Sequence, residues 1–173
     1  MHVTEETLAP VSGDEAPADA YAELFRAQFR AMTHLARLVG ADDPENVAQE
    51  AFVRLESRRR TLRDPNAAIG YLRTSVINLS RSRLRHLAVV RSARLPVDNG
   101  ESSEWHALVR DEQSRVRAAL LTLPRRQREV IVLRYWLDMS EAEIAHTLGI
   151  GKGSVKAYAS RGLDALGTAM GER

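Results

Sequence analysis

The segment from Ser140 to Leu166 constrains this chain more than any other. Ser140-Glu141-Ala142-Glu143 has the spacing of a capping box: a hydroxyl caps the first turn and a carboxylate three residues on reaches back. It predicts a short helix with Ile144, Ala145 and Leu148 turned inward. Gly149 stops that helix at the left-handed position glycine tolerates best. Ile150 packs into the turn, and a second helix begins near Gly151 with Val155, Ala159, Leu163 and Leu166 inward. Ile144, Ala145, Leu148, Ile150 and Val155 then form the small core that sets the angle of a helix-turn-helix. Such a motif presents the early turns of its second helix to a major groove. The side chains on offer are Lys152, Ser154, Lys156, Ala157, Ser160 and Arg161. The helix N-terminus adds partial positive charge toward phosphate. A plain helical hairpin shares the core spacing, but here the capping box, the turn glycine and a basic second helix coincide.

Charge elsewhere points the same way. The formal net charge is only +2, yet its distribution is uneven. The first nineteen residues carry Glu5, Glu6, Asp14, Glu15 and Asp19 and no Lys or Arg. From Arg54 to Arg94 there are eleven arginines against Glu56 and Asp64. Arg125, Arg126 and Arg128 form another cluster, and Lys152, Lys156 and Arg161 a third. Lys152 and Lys156 are the only lysines. Arginine's planar donor fork suits phosphates and guanine edges. One basic cluster is compatible with a solvated helix face; three on separate helices suit an extended polyanion.

Helical spacing accounts for most of the chain. Residues 1–19 lack periodicity, carry Pro10, Gly13 and Pro17, and are expected to be a disordered acidic tail. Tyr21, Leu24, Phe25, Phe29, Met32, Leu35, Ala36 and Val39 repeat at three-four spacing. Asp42 or Asp43, followed by Pro44, opens a helix burying Val47, Ala51, Phe52 and Leu55. Asp64-Pro65 opens another, with Ile69, Leu72, Val76 and Leu79 as its stripe and Arg81, Arg83, Arg85 and His86 in its last turns. Residues 20–87 are therefore expected as one helical domain. Residues 88–103, with Pro96, Asp98, Asn99 and Gly100, read as a linker. Helical period resumes over 104–173, through Val116, Leu120 and Leu123, past Pro124, to Val130, Ile131, Leu133 and Trp136. The expected fold class is all-α: two small helical domains on a flexible linker, the C-terminal one containing the helix-turn-helix.

Other chemistries find little support. The chain has no cysteine, which excludes disulfides and thiolate metal sites. No stretch approaches the ~20 apolar residues of a membrane span, and the first residues lack a signal-peptide pattern. His2, His34, His86, His106 and His146 are isolated, without metal-ligand spacing. No carboxylate pair accompanies a nucleophile or glycine-rich motif. The expectation is a cytoplasmic, non-enzymatic protein with no cofactor, metal or catalytic residue.

Two stretches carry a resemblance. Leu123-Pro124-Arg125-Arg126-Gln127-Arg128-Glu129-Val130, Leu133-Arg134-Tyr135, Ser140 to Ala145, Leu148-Gly149-Ile150 and Gly153-Ser154-Val155-Lys156 resemble the fourth conserved region of bacterial sigma factors. Glu45-Asn46-Val47-Ala48-Gln49-Glu50-Ala51-Phe52 resembles the polymerase-binding helix of their second region, and Tyr71 to Arg85 its −10 helix. From Tyr21 to Leu166 the chain is similar to the extracytoplasmic-function (ECF) sigma factors, the minimal two-domain class, and within them to the actinobacterial SigE-like group.

That resemblance implies a division of labour. Glu45, Asn46, Gln49 and Glu50 would dock on the clamp helices of core RNA polymerase. Arg60, Arg73, Asn78, Arg81, Arg83 and Arg85 would meet the promoter −10 element, with the loop Arg58 to Arg63 helping to hold a flipped base. Arg125, Arg126, Lys152, Ser154, Lys156, Ser160 and Arg161 would read the −35 duplex, and the fourth region would also touch the polymerase flap. An anti-sigma protein is a further implied partner. Four positions depart from the family pattern: Asn46 for Asp, Tyr71 for Trp, and Gly151 and Tyr158 where the recognition helix often carries Ser and Arg. The last two point to a −35 sequence of its own. Two other readings remain open at this stage: a helix-turn-helix regulator acting without polymerase docking, and a helical protein-interaction module that never meets DNA.

Overall fold

A computed structural model describes residues 15–58, 64–92 and 107–171. These residues form helices α1 (Glu15–Val39), α2 (Pro44–Glu56), α3 (Pro65–Ser92), α4 (Ala107–Thr122), α5 (Arg125–Ile131), α6 (Glu141–Leu148) and α7 (Lys152–Met170), with no strand among them. A π-helical turn, Val132–Trp136, extends α5.

The N-terminal body is a three-helix unit in which α1, α2 and α3 pack on one another. Met32, Leu35, Ala36 and Val39 of α1 meet Val47, Ala48, Ala51, Phe52 and Leu55 of α2 and Leu72, Val76, Ile77 and Leu79 of α3, all buried. Phe52 is the centre of an aromatic cluster with Tyr21, Phe25 and Phe29. The Tyr21 hydroxyl donates to the Phe52 carbonyl at 3.1 Å, which satisfies the polar end of a half-buried ring. Both aspartate caps form. Asp43 accepts from the Asn46 amide at 3.4 Å with Pro44 in the first turn, and Asp64 accepts from Asn66 and Ala67 at 3.2 and 3.3 Å.

In the C-terminal body α7 packs on α4, α5 and α6. Leu120, Leu123, Val130, Ile131, Leu133, Met139, Ile144, Leu148 and Val155 form its interior. Gly162 lets α7 approach α5: a Cβ there would sit 2.7 Å from Ile131 Cγ1. The capping box closes in both directions, Glu143 N donating to Ser140 Oγ and Ser140 N to the Glu143 carboxylate. Gly149 takes φ 65°.

Several boundaries differ from the sequence reading. Helix α1 begins at Glu15, inside the stretch expected as tail, and α3 runs on to Ser92, past the expected domain end at residue 87. The remainder of the expected tail (1–14), the remainder of the expected linker (93–103), residues 104–106 of the expected C-terminal domain and most of the arginine loop (59–63, including Arg60) lie outside the described residues. Leu163 is not inward but 43 % exposed, because Gly162 takes the contact with α5. Trp136, expected in one helix with Val130, Ile131 and Leu133, ends the π-helical extension of that helix and is more than half exposed. The π-turn explains this. Leu137 N reaches the carbonyl of Val132 and Met139 N that of Leu133, so an extra residue enters the turn and swings Tyr135 and Trp136 outward.

The two bodies touch. Helix α1 packs on α4, α5 and the π-turn, and α3 packs on α6. His34 of α1 stacks on Trp136, ring centroids 4.4 Å apart.

Candidate nucleic-acid interface

The exposed, positively charged face of α7 is the clearest candidate. Gly151 precedes the helix in extended conformation, so the first turn opens to solvent without a side-chain cap. Val155 anchors the helix and is buried. Lys152, Ser154, Lys156, Ser160 and Arg161 are all exposed. The Arg161 guanidinium lies 5.3 Å from the centre of the Tyr158 ring, which steers it along the helix. Lys156 Nζ is 3.8 Å from a Glu141 carboxylate that Arg134 approaches from its other side at 3.9 Å. Pairs this exposed contribute little and exchange readily for a phosphate.

Arg125, Arg126 and Arg128 do not form one cationic patch. Arg128 is buried under α4, its Nη1 donating to the Leu121 carbonyl at 3.2 Å. Burial pushes its guanidinium below the usual arginine range. Arg125 and Arg126 lean on Glu129, at 3.8 and 3.3 Å, and Arg126 also donates to the Leu148 carbonyl. Arg125 remains exposed and Arg126 half-buried.

On α3 the candidates separate. Arg85 is exposed, and so is Asn78, whose Oδ1 accepts from Arg81 at 3.4 Å. Arg83 bridges α3 to α2, donating to Asp43 and Glu50 at 3.3 Å each. Arg81 donates through Nε and Nη2 to both oxygens of Glu129, at 2.7 Å each. Arg73 is half-buried with its Nε enclosed, within electrostatic reach of Glu143. Arg58 stacks 5.4 Å over the Tyr71 ring, so this aromatic fixes the start of the arginine loop.

Helix α2 offers a different surface. Glu45, Asn46 and Gln49 are exposed and fall on adjacent turns, with Glu50 half-buried beside them. Glu45 accepts from Arg37 at 2.7 Å and Glu50 from Arg54 at 2.7 Å. Val53 extends the same helix outward at 67 % exposure, an apolar contact point beside polar ones.

The residue the sequence reading missed is Glu129. It is 2 % exposed and gathers Arg81, Arg125 and Arg126. The only local signal was one carboxylate among arginines in Arg125-Arg126-Gln127-Arg128-Glu129. A buried carboxylate requires such partners. Among the described residues no group of three or more His, Asp or Glu is placed to hold a metal ion. No described helix is long and apolar enough to cross a membrane.

Comparison with known proteins agrees with this layout. Residues 113–166 match the family described as Sigma-70, region 4. The RNA polymerase sigma-E factor of Streptomyces coelicolor is 32 % identical over 151 residues, covering 84 % of this chain and 83 % of that protein. The ECF RNA polymerase sigma factor SigM of Mycobacterium tuberculosis is 28 % identical over 173 residues, covering 96 % and 84 %. Among solved structures, CnrH, in complex with the cytosolic domain of CnrY, superposes with a TM-score of 0.66 at 25 % identity, covering 91 % of this chain and 89 % of CnrH. The Bartonella quintana sigma factor RpoE, in complex with the anti-sigma factor NepR, superposes at 0.67 with 17 % identity, over 88 % and 97 %, a likeness of fold. With the helix-turn-helix, the α2 surface and the two-body helical fold in place, this chain belongs to the extracytoplasmic-function RNA polymerase sigma factors.

Proposed function

We propose that this sigma factor divides its task among three helices. Helix α2 docks on core RNA polymerase through Glu45, Asn46, Gln49 and Glu50. Helix α7 reads the −35 duplex through Lys152, Ser154, Lys156, Ser160 and Arg161, with Arg125 on neighbouring phosphates. Helix α3 meets the −10 element, Asn78 and Arg85 first. Arg81 and Arg83 join once their present carboxylate partners release them and half-buried Arg73 once it is uncovered, Arg60 of the arginine loop completes the −10 set, and Arg126 joins the −35 set on leaving Glu129. The observation that carries this reading is the exposed basic first half of α7 on a buried helix-turn-helix core.

The chemistry is recognition and strand capture, with no reaction catalysed by the chain itself and no cofactor. Flipping a base costs a few kcal/mol of stacking, which a pocket must return. Asn78 can supply both a donor and an acceptor there. Tethering two modest modules raises their joint affinity. The place of work is the cytoplasm, where polymerase and chromosome meet. An anti-sigma protein is a fitting regulator, as with the Bartonella RpoE held by NepR. A regulator without polymerase docking leaves the α2 surface without a task.

The test is promoter opening by reconstituted holoenzyme. Asn78→Ala is expected to lower permanganate reactivity at the −10 element while leaving closed-complex formation intact. Equal opening by both proteins would remove Asn78 from the −10 site.

A further inference from the structure

Of the 25 Lys and Arg residues only Lys152 and Lys156 are lysines, and both lie in the opening turns of α7. The difference is chemical. A guanidinium stays protonated and is no nucleophile, whereas an ammonium can release its proton to leave a free amine. Side-chain amine chemistry on this chain is therefore addressed to one helix, the one that faces the −35 duplex. Both side chains are open to reagents. Lys156 is 70 % exposed, and Lys152 is exposed as well. Gly151 and Gly153 flank Lys152, and a Cβ on either would meet nothing within 4 Å, so the space around it is clear. Lys156 has a carboxylate neighbour besides. Its Nζ lies 3.8 Å from one oxygen of Glu141, whose other oxygen is 3.9 Å from Arg134.

We propose that Lys156 is an acylation site for acyl phosphates and that its acylation turns down −35 reading. The proposal rests on the reading of α7 as the −35 helix. Charge selects the donor. A face that holds DNA phosphate attracts a small phosphate-bearing anion through the same field. In the reaction the deprotonated Nζ attacks the carbonyl carbon of the donor. A C–N bond forms, and the C–O bond to phosphorus's oxygen breaks, its electron pair leaving on inorganic phosphate. The proton shed by nitrogen passes to Glu141 or to water. The product is an uncharged amide at the same position. Two effects then add at the DNA. A cationic donor to phosphate is lost. The Glu141 carboxylate, shared until then between Lys156 and Arg134, keeps Arg134 alone, so negative charge is uncovered toward the phosphate backbone.

The full chain is treated with acetyl phosphate, mapped by peptide mass spectrometry, and assembled with core polymerase on a promoter it selects in run-off transcription. Acetylation of Lys156 is expected, with promoter affinity falling about tenfold, the scale of one charge-assisted hydrogen bond. The salt slope of log affinity is expected to fall by about one unit. Lys156→Arg keeps the charge and takes no acetyl group, so the treated variant should bind promoter as the untreated one does. Glu141→Gln, compared at equal acetylation, should shrink the loss, because it removes the uncovered carboxylate. Lys156 left unmodified under conditions that acetylate a lysine peptide would overturn the proposal. So would an acetylated protein that binds as tightly as before, or an equal loss in treated Lys156→Arg. Untreated Lys156→Ala separates the two claims. If it binds weakly while the acetylated parent binds fully, the acylation switch alone falls. If it binds promoter like the parent, the −35 reading of Lys156 falls and the switch with it.

Discussion

Lys156 and Arg128 look alike in the sequence and differ in the fold. Both sit in basic clusters, but Lys156 is exposed on α7 while Arg128 is buried and donates from Nη1 to the Leu121 carbonyl of α4. Helical phase separates them: Arg128 follows the inward stripe that Ile131 continues. The clustering of like charges hid that phase, and Glu129 with it. Lys156→Ala is expected to weaken −35 duplex binding and to lower the salt slope of log affinity by about one unit. Titrations at several salt concentrations check it; unchanged affinity and slope would take Lys156 out of the interface. Gly162 tests packing at the same scale. A methyl group there meets Ile131 at 2.7 Å. Gly162→Ala is therefore expected to cost about 1–3 kcal/mol, as overpacked cores do, visible as a lowered melting temperature.

Helix starts were legible because their caps are local chemistry. Asp43-Pro44, Asp64-Pro65 and Ser140 to Glu143 each announce a first turn, and all three form. The π-turn was not legible, because it depends on where Leu137 and Met139 find carbonyls rather than on any pattern within Val132–Trp136. The capping box has a pH signature. Hydrogen bonds from the Ser140 hydroxyl, then from its backbone amide, hold the Glu143 carboxyl below the usual range. A carboxyl lowered on folding stabilises above its unfolded pKa, and that stability is lost as pH falls through the folded value. Acid is thus expected to weaken α6. Ser140→Ala should remove most of that acid sensitivity and cost about 1 kcal/mol near neutral pH, as pH-dependent denaturation would record. On α2, Gln49 has no charge partner to lose. Gln49→Ala is expected to weaken core polymerase binding with an unchanged circular dichroism spectrum; full affinity in a pull-down would displace the docking surface.

At the scale of the whole molecule, the two-body helical plan was readable and the embrace between the bodies was not. Each body announces itself through short-range periodicity, such as Val47, Ala51 and Leu55 or Ile144 and Leu148. Arg81 and Glu129 share no local pattern, and only the folded chain brings them together. The same holds for His34 and Trp136. The Arg81–Glu129 pairing gives Arg81, expected from the sequence on the −10 face, an internal carboxylate partner. Run-off transcription with purified core polymerase on a genomic library, with and without this chain, tests the central claim most directly. A sigma factor acting as described adds a discrete set of start sites that share paired −35 and −10 elements. Identical start sites in both reactions would contradict the account.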